Sequence, residues 1–470
     1  MLELRLQVHL GRDNMDISIK KEDIVKGKII DISHDGKGIL KPWGYTVFTQ
    51  GGIIGDEVSV KIIETKKNYA IGKTMAIDEP SKHRVEPMCK ISNICGGCQL
   101  QELDYGTQLQ IKTNKVKNDL VKIGGLDDVI IHDTIGMKEP YRYRNKVQIP
   151  VGREKGETVI GFYKKGSHVI ANTNTCIIQH EIADKAIEAV RKYMKEFNIE
   201  PYDAKTGQGH IRHIIVKTSF ETKDTMVIIV TNKEHLPNKN QLLDRLKRAI
   251  PELKSLIHNI NNKKTNIVMG IKTRVIYGED HIIDYIGDLK FKISGESFFQ
   301  VNPVQTEVLY KKALEYAGLK GDEIVFDIYC GIGTISLLLA QKSKKVYGIE
   351  SVKEAIVDAK ENAKINGINN VEFHCGNAEE VFPELYSKGI KADVVVVDPP
   401  RKGCDTSVLD TIIKMQPEKV VYVSCNPSTL ARDLKYLSQN GFEALEVQPV
   451  DMFPQGVHVE VIVGIQRSDL

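Results

Sequence analysis

From Glu323 onward, short runs of β-branched residues alternate with stretches of helical period, and this alternation leaves few folds open. Strands are expected over Ile324–Tyr329, Lys345–Ile349, Val371–His374, Asp393–Val397 and Val420–Val423, each followed by a helical segment. A last pair of strands is expected at Glu443–Val450 and Val457–Gln466. Parallel neighbours need a crossover, which a helix supplies. The expected fold class is α/β, a doubly wound, mostly parallel sheet that takes its ligand at the strand C-termini.

Three stretches fall at those C-termini. The first is Cys330-Gly331-Ile332-Gly333-Thr334, a tight glycine turn, with Glu350 ending the next strand nineteen residues after Gly331. Such glycines let backbone approach a ligand, and an acid there can grip two ribose hydroxyls. The full G-x-G-x-x-G pattern is missing, which disfavours a dinucleotide and suits S-adenosylmethionine, a cofactor without pyrophosphate. The second is Asp398-Pro399-Pro400-Arg401, a carboxylate on a rigid turn that can fix a planar base or an amine. The third is Val421–Thr429, VYVSCNPST, a buried strand running into a helix with Asn426 as N-cap and Pro427 as first helical residue. Cys425 then sits at the hand-over, where free N–H groups and the helix dipole favour a thiolate. In isolation it reads equally as a small core cysteine.

Upstream, about five short strands are expected between Val25 and Asp78, with turns at Asp35-Gly36 and Gly51-Gly52. They suggest a small barrel of the OB type, with Lys61, Lys66, Lys67 and Lys73 as a basic face and Trp43 and Tyr45 as stacking surfaces. Cys89-x5-Cys95-x2-Cys98, with Cys176 the next cysteine, forms a thiol set suited to an iron–sulfur cluster or a zinc. The spacing differs from the x3-then-x2 of radical enzymes that cleave S-adenosylmethionine. Eight cysteines in 470 residues do not make a disulfide scaffold and fit a reducing cytoplasm. Tyr141–Lys146 interleaves aromatic and cationic residues, which suits RNA as well as a polar edge strand. Helices are expected near Glu181–Phe197, Gln241–Ala249 and Gln305–Ala317, with strands at Ile211–Phe220, Thr225–Thr231 and Leu256–Asn261, a central α+β layer. A net charge of +3 confines any RNA-binding surface to a local patch. No run of 18 apolar residues is present, so no membrane partner is expected, and no secretory signal is visible. Residues 1–14 match no domain pattern, and translation is expected to start at Met15.

Together these motifs resemble the RNA uracil-5-methyltransferase family over about residues 17 to 468. The resemblance rests on YRNK (Tyr143–Lys146), SFFQVNP (Ser297–Pro303), DIYCGIGT (Asp327–Thr334), DPPRKG (Asp398–Gly403), SCNP (Ser424–Pro427) and DMFPQGVHVE (Asp451–Glu460). It implies Cys425 as nucleophile and Glu460 as proton acceptor, with Gln300, Tyr329, Glu350, Asn377 and Asp398 at the cofactor and base site. Thr334 stands where some members carry Asn, so no contact is assigned to it. In the family, members with cysteines placed like Cys89, Cys95, Cys98 and Cys176 carry a 4Fe-4S cluster and act mainly on large-subunit ribosomal RNA. The N-terminal segment resembles the TRAM domain, a small RNA-binding barrel.

The implied organisation is a TRAM-like barrel over 17–79, a central α+β domain with the iron–sulfur site over 80–290, and an S-adenosylmethionine-dependent methyltransferase domain over 291–470. The implied activity is transfer of a methyl group to carbon 5 of a uridine in 23S ribosomal RNA, with RNA as partner and no obligatory protein partner. A transfer RNA enzyme, a cytosine enzyme and a non-catalytic RNA-binding factor are the alternatives. Cytosine enzymes use a second cysteine next to Asp-Pro-Pro, whereas Cys404 here stands six residues after Asp398.

Overall fold

The structure, a computed structural model, describes residues 19–469. Met15 and the first two residues of the expected barrel lie outside the described residues. The described chain forms two compact units, one running to Glu86 with Glu102–Thr107 added, the other comprising Pro87–Gln101 and the chain from Gln108 onward.

The first unit is a six-stranded sheet in the order Ile24–Lys28, Glu57–Thr65, Tyr69–Glu79, Thr46–Gln50, Gly38–Leu40, Asp31–Ile32. Val25, Ile29, Leu40, Val47, Val58, Val60, Ile62 and Ala70 form its core. The expected strand Val25–Ser33 is two strands, because Ile29 leaves the ladder and its N–H donates to the Asp56 carbonyl at 2.9 Å. Trp43 is exposed, and Lys61 and Lys73 are cross-strand partners on one face. That face is less basic than expected, since Lys61 pairs with Glu22 at 2.6 Å and Lys66 with Glu64.

In the second unit, a seven-stranded sheet has the order Ile170–Asn172, Glu157–Tyr163, Lys146–Glu154, Ile211–Thr218, Thr225–Thr231, Leu253–Ile260, Lys272–Gly278. Helices Glu181–Glu196 and Lys239–Ala249 pack their apolar stripes on it. The strand from Lys146 passes through Pro150 rather than stopping there. Pairing with Glu157–Tyr163 begins only at Val151, so the missing proline N–H breaks no ladder bond on that side.

The other large sheet of this unit has eight strands, in the order Val371–Cys375, Lys345–Glu350, Ile324–Ile328, Val394–Val397, Lys419–Ser424, Glu460–Arg467, Phe442–Val450, Ile130–Ile131. Val394–Val397 is an uninterrupted apolar run, and Val420–Val423 is apolar inside its strand, because both faces are covered. Val394, Val396, Val421 and Val423 face the core under helices Pro303–Ala317, Thr334–Ala340 and Lys353–Ile365. Val395, Val397, Val420 and Tyr422 face the opposite core, under helices Ala378–Ser387, Thr406–Met415 and Pro427–Ser438. The chain moves outward from Ile324–Ile328 to Val371–Cys375, then returns to Val394–Val397 on the other side. That reversal is the switch point where such sheets take ligands. The last strand begins at Glu460, not Val457, and the residues before it form a loop.

Candidate active site

A cavity of about 840 Å³ opens at the switch point. Gln300, Tyr329, Glu350, Asn377, Asp398, Cys425 and Glu460, expected from sequence to form one site, all line it. Tyr329, directly after strand Ile324–Ile328, has φ 73°, a conformation that costs a non-glycine residue energy. Its N–H and that of Cys330 both donate to the Ile349 carbonyl, at 2.9 and 3.0 Å. Gly331 follows at φ 56° with open space where a Cβ would stand, so backbone faces the cavity directly. The Glu350 carboxylate accepts from the Gly331 N–H at 3.2 Å and from the Val352 N–H at 2.8 Å. Asn377 is the N-cap of Ala378–Ser387 but makes no side-chain capping bond.

Cys425 lies between strand Lys419–Ser424 and helix Pro427–Ser438. Asn426 caps that helix, its Oδ1 accepting from the Ser428 N–H at 3.2 Å, while its Nδ2 donates to the Arg401 carbonyl at 3.0 Å. The Asp-Pro-Pro-Arg turn and the cysteine turn are thereby locked together. Glu460 is 5% exposed and starts the antiparallel neighbour of the cysteine strand.

Acids dominate the electrostatics. Asp327 is fully buried on the cavity wall, with Oδ2 accepting from Ser336 Oγ at 2.5 Å and Oδ1 without a partner. Burial, then the Glu350 charge, pushes Asp327 up to about 7. Burial, then Asp327, pushes Asp398 up to about 7. Glu460 rises well above the carboxylate range through burial and Asp398, against Arg401. The surroundings of Cys425 in the ligand-free protein do not favour the thiolate expected from sequence. Burial, then Glu460 and Asp398, pushes its thiol up to about 11, and Arg401 offsets only part of this. Desolvation and two carboxylates outweigh the helix terminus. A cavity holding this many acids is preset for a cationic ligand.

The sequence from residue 104 to 468 matches the family model for tRNA (uracil-5-)-methyltransferase. An "Uncharacterized RNA methyltransferase" of Clostridium tetani is 53% identical over 448 residues, covering 95% of this chain and 97% of that protein. Another so described, from Halalkalibacterium halodurans, is 49% identical, covering 96% and 98%. The chain belongs to the RNA uracil-5-methyltransferase family. The structure also resembles that of the Pyrococcus abyssi tRNA (uracil-54, C5)-methyltransferase in complex with S-adenosyl-L-homocysteine, with a TM-score of 0.76 and 27% identity over 94% of this chain and all of that one. This protein is therefore an RNA methyltransferase.

Further residues of the methyltransferase site lie in the stretches read from sequence but were not named there as site residues. Arg144, Arg401 and Phe453 line the cavity, as does Phe298, which is 64% exposed. Arg144 stands over the Phe453 ring, 6.0 Å from its centroid. The interleaved Tyr-Arg-Tyr-Arg run was the available signal for Arg144. Thr334, given no role, lines the cavity, and its Oγ1 lies 3.2 Å from the Tyr310 hydroxyl. His458 lines the cavity and packs edge-on to Phe453. Cys404 is buried away from the cavity lining, its N–H donating to Asp433 Oδ2 at 2.9 Å.

A second cavity, of about 430 Å³, is lined by all four of Cys89, Cys95, Cys98 and Cys176. Burial and the neighbouring sulfurs push the Cys98 thiol up to about 12. Burial pushes Cys176 up to about 11, with the neighbouring sulfurs adding to it. Among the described residues no three His, Cys, Asp or Glu side chains form a group that could hold a metal ion. The four sulfurs thus share a cavity, not a point. A single zinc needs its sulfurs about 2.3 Å from one centre, whereas a cluster spreads its irons toward separate sulfurs. Arg144 and Lys146 line the same cavity and supply positive charge, and Gln101 Oε1, Gln179 Oε1 and Arg144 Nε are buried without partners. Four thiols lining one cavity with positive charge beside them are the donors a cluster would use.

Proposed function

We propose that the protein methylates carbon 5 of a specific uridine in large-subunit (23S) ribosomal RNA through a covalent Cys425–uracil adduct. The observation that carries this is Cys425 and Glu460 on the wall of one cavity with the five residues assigned to cofactor and base. The methyl donor is S-adenosylmethionine, which supplies an electrophilic methyl group on a cationic sulfur. Glu350 would hold its ribose hydroxyls, and Asn377, Tyr329, Gln300 and Asp398 would hold adenine, amine and base.

Carbon 5 of uracil is a poor nucleophile. The Cys425 thiolate adds to carbon 6, and the electron pair displaced from the double bond makes carbon 5 an enolate carbon. Carbon 5 then takes the methyl group. Glu460 removes the proton left on carbon 5, the double bond re-forms, and the sulfur leaves carbon 6. Burial and the Asp398 charge, against Arg401, strengthen the hold of Glu460 on the proton it takes. Phe298 and Phe453 offer stacking surfaces to an unstacked base, and a loop uridine is the less costly target. Cys404, buried against Asp433, favours uracil over cytosine as substrate.

We infer also that Cys89, Cys95, Cys98 and Cys176 hold a 4Fe-4S cluster with a structural role. The four-cysteine pattern supports the ribosomal substrate through the family resemblance, and eight free cysteines suit a cytoplasmic enzyme. A transfer RNA substrate is the second reading, favoured by the likeness to the Pyrococcus abyssi enzyme, a tRNA (uracil-54, C5)-methyltransferase. Mapping 5-methyluridine in RNA from cells with and without the gene tests both. Loss at a 23S uridine supports the first, loss from transfer RNA alone selects the second, and loss from neither refutes both.

A further inference from the structure

The loop before Glu460 has no regular structure, yet its residues 451 and 452, 454 and 455 are all buried. Buried loops are rare because their peptide groups need partners. Here five consecutive carbonyls are taken by groups from elsewhere in the unit. Asp451 O accepts from Gln305 Nε2 at 3.2 Å, Met452 O from Asn302 Nδ2 at 3.1 Å, and Phe453 O from Lys112 Nζ at 3.0 Å. Pro454 O accepts from the Tyr143 hydroxyl at 3.0 Å. Gln455 O accepts from the Gln99 and Leu100 N–H groups, both at 3.0 Å, directly after Cys98.

Helix Tyr105–Asp119 contributes most of the side-chain grip. Gln108 and Lys112, four residues apart and so on one face, are each 1% exposed. Gln108 Nε2 donates to Leu100 O at 3.0 Å and to Gln455 Oε1 at 3.1 Å, while its Oε1 accepts from the Gln455 N–H at 3.1 Å. Lys112 Nζ also donates to Asp451 Oδ1 at 2.5 Å, a buried ion pair. Gln455 has φ 70°, a conformation the loop keeps only while these bonds hold it. Neither Gln108 nor Lys112 lines the active-site cavity. Cys425 hangs from a different element, so the clamp bears on one wall of the site, the wall carrying Phe453, His458 and Glu460.

We infer that Gln108 and Lys112 are positioning residues for the last chemical step: they fix loop 451–455 against the cysteine segment so that Glu460 meets the proton on carbon 5. The inference rests on the roles proposed for Cys425 and Glu460. Its signature is a split between two rates. Addition depends on the cysteine turn and should be spared, whereas release of the adduct depends on the loop and should slow.

The test uses the full-length protein and its RNA substrate, following adduct formation and release on denaturing gels under single-turnover conditions. Gln108→Leu removes the bonds to Leu100 and Gln455. Gln455→Gly keeps the carbonyl, suits the positive φ and removes only the side-chain link to Gln108. Lys112→Met, which removes the buried ion pair to Asp451 and the bond to the Phe453 carbonyl, should give the same split more strongly. Formation is expected within about twofold of wild type and release slowed at least about tenfold, since a misplacement of about 1 Å costs up to about a hundredfold. The wild-type iron content should be retained. Parallel loss of both rates, or an unchanged release rate, overturns the inference. If Gln108→Leu does not fold, Gln455→Gly decides, and failure of both to fold makes the clamp purely architectural and also overturns it. Absence of adduct in every protein, Glu460→Gln included, refutes the Cys425 and Glu460 assignments and this inference with them.

Discussion

The free enzyme should hold Cys425 as a thiol, and binding of the methyl donor should turn it toward thiolate. Burial, Glu460 and Asp398 put the thiol at about 11. At pH 8 about one molecule in a thousand is then a thiolate. A sulfonium adds one positive charge to a cavity whose wall carries Asp327, Glu350, Asp398 and Glu460. At roughly 6 Å and an effective dielectric near 20, a unit charge is worth about 3 kcal/mol, or about 2 pKa units. The sign is downward, because positive charge favours the anion. The thiol should therefore titrate near 9 with S-adenosylmethionine bound, and the thiolate fraction at neutral pH should rise about a hundredfold. The assay is the pH dependence of alkylation of the Cys425 peptide by iodoacetamide, read by mass spectrometry with Cys425→Ala as blank. The midpoint is the readout, because the donor also shields the sulfur. S-adenosylhomocysteine, whose sulfur is neutral, should leave the midpoint nearly in place. A free-enzyme midpoint near 8, or the same midpoint with both ligands, would refute the reasoning.

The same cavity should release protons when it binds S-adenosylmethionine at pH 6–7. Asp327 and Asp398 sit at about 7, and a cation lowers both, so calorimetry in two buffers should detect proton release that is much smaller with S-adenosylhomocysteine. Glu350→Ala should weaken S-adenosylmethionine binding by about 1.5–3 kcal/mol, roughly ten- to hundredfold, with RNA affinity unchanged, as titration calorimetry would show. Anaerobically purified protein should carry about four irons per chain and lose most of them on Cys95→Ser, and equimolar zinc without iron would contradict the cluster assignment.

Much of the site was legible because its residues lie at ends of regular elements. The apolar run before Ser424, the N-cap at Asn426 and Pro427 identify a strand entering a helix, and the structure has that junction. The clamp helix Tyr105–Asp119 was not legible. Its buried face carries Gln108 and Lys112 where an apolar stripe would be read, so the hydrophobic period is absent. The hairpin His281–Ile286 and Leu289–Ser294 was missed although its signal was present, two alternating runs around Gly287-Asp288. The ionisation of Cys425 could not be read locally. Asp398 and Glu460 come from strands far away in the sequence, and only the folded sheet brings their charges to the sulfur.

The central claim, a covalent intermediate resolved by Glu460, is tested most directly with Glu460→Gln. This variant keeps the Cys425 thiol and the donor site, so addition and methyl transfer should proceed while removal of the carbon 5 proton fails. The account predicts protein covalently attached to methylated RNA that survives denaturing gels and carries label from a tritiated methyl donor, with no adduct for Cys425→Ala. Normal turnover by Glu460→Gln would contradict it and move the base to another group on the same wall, His458 first.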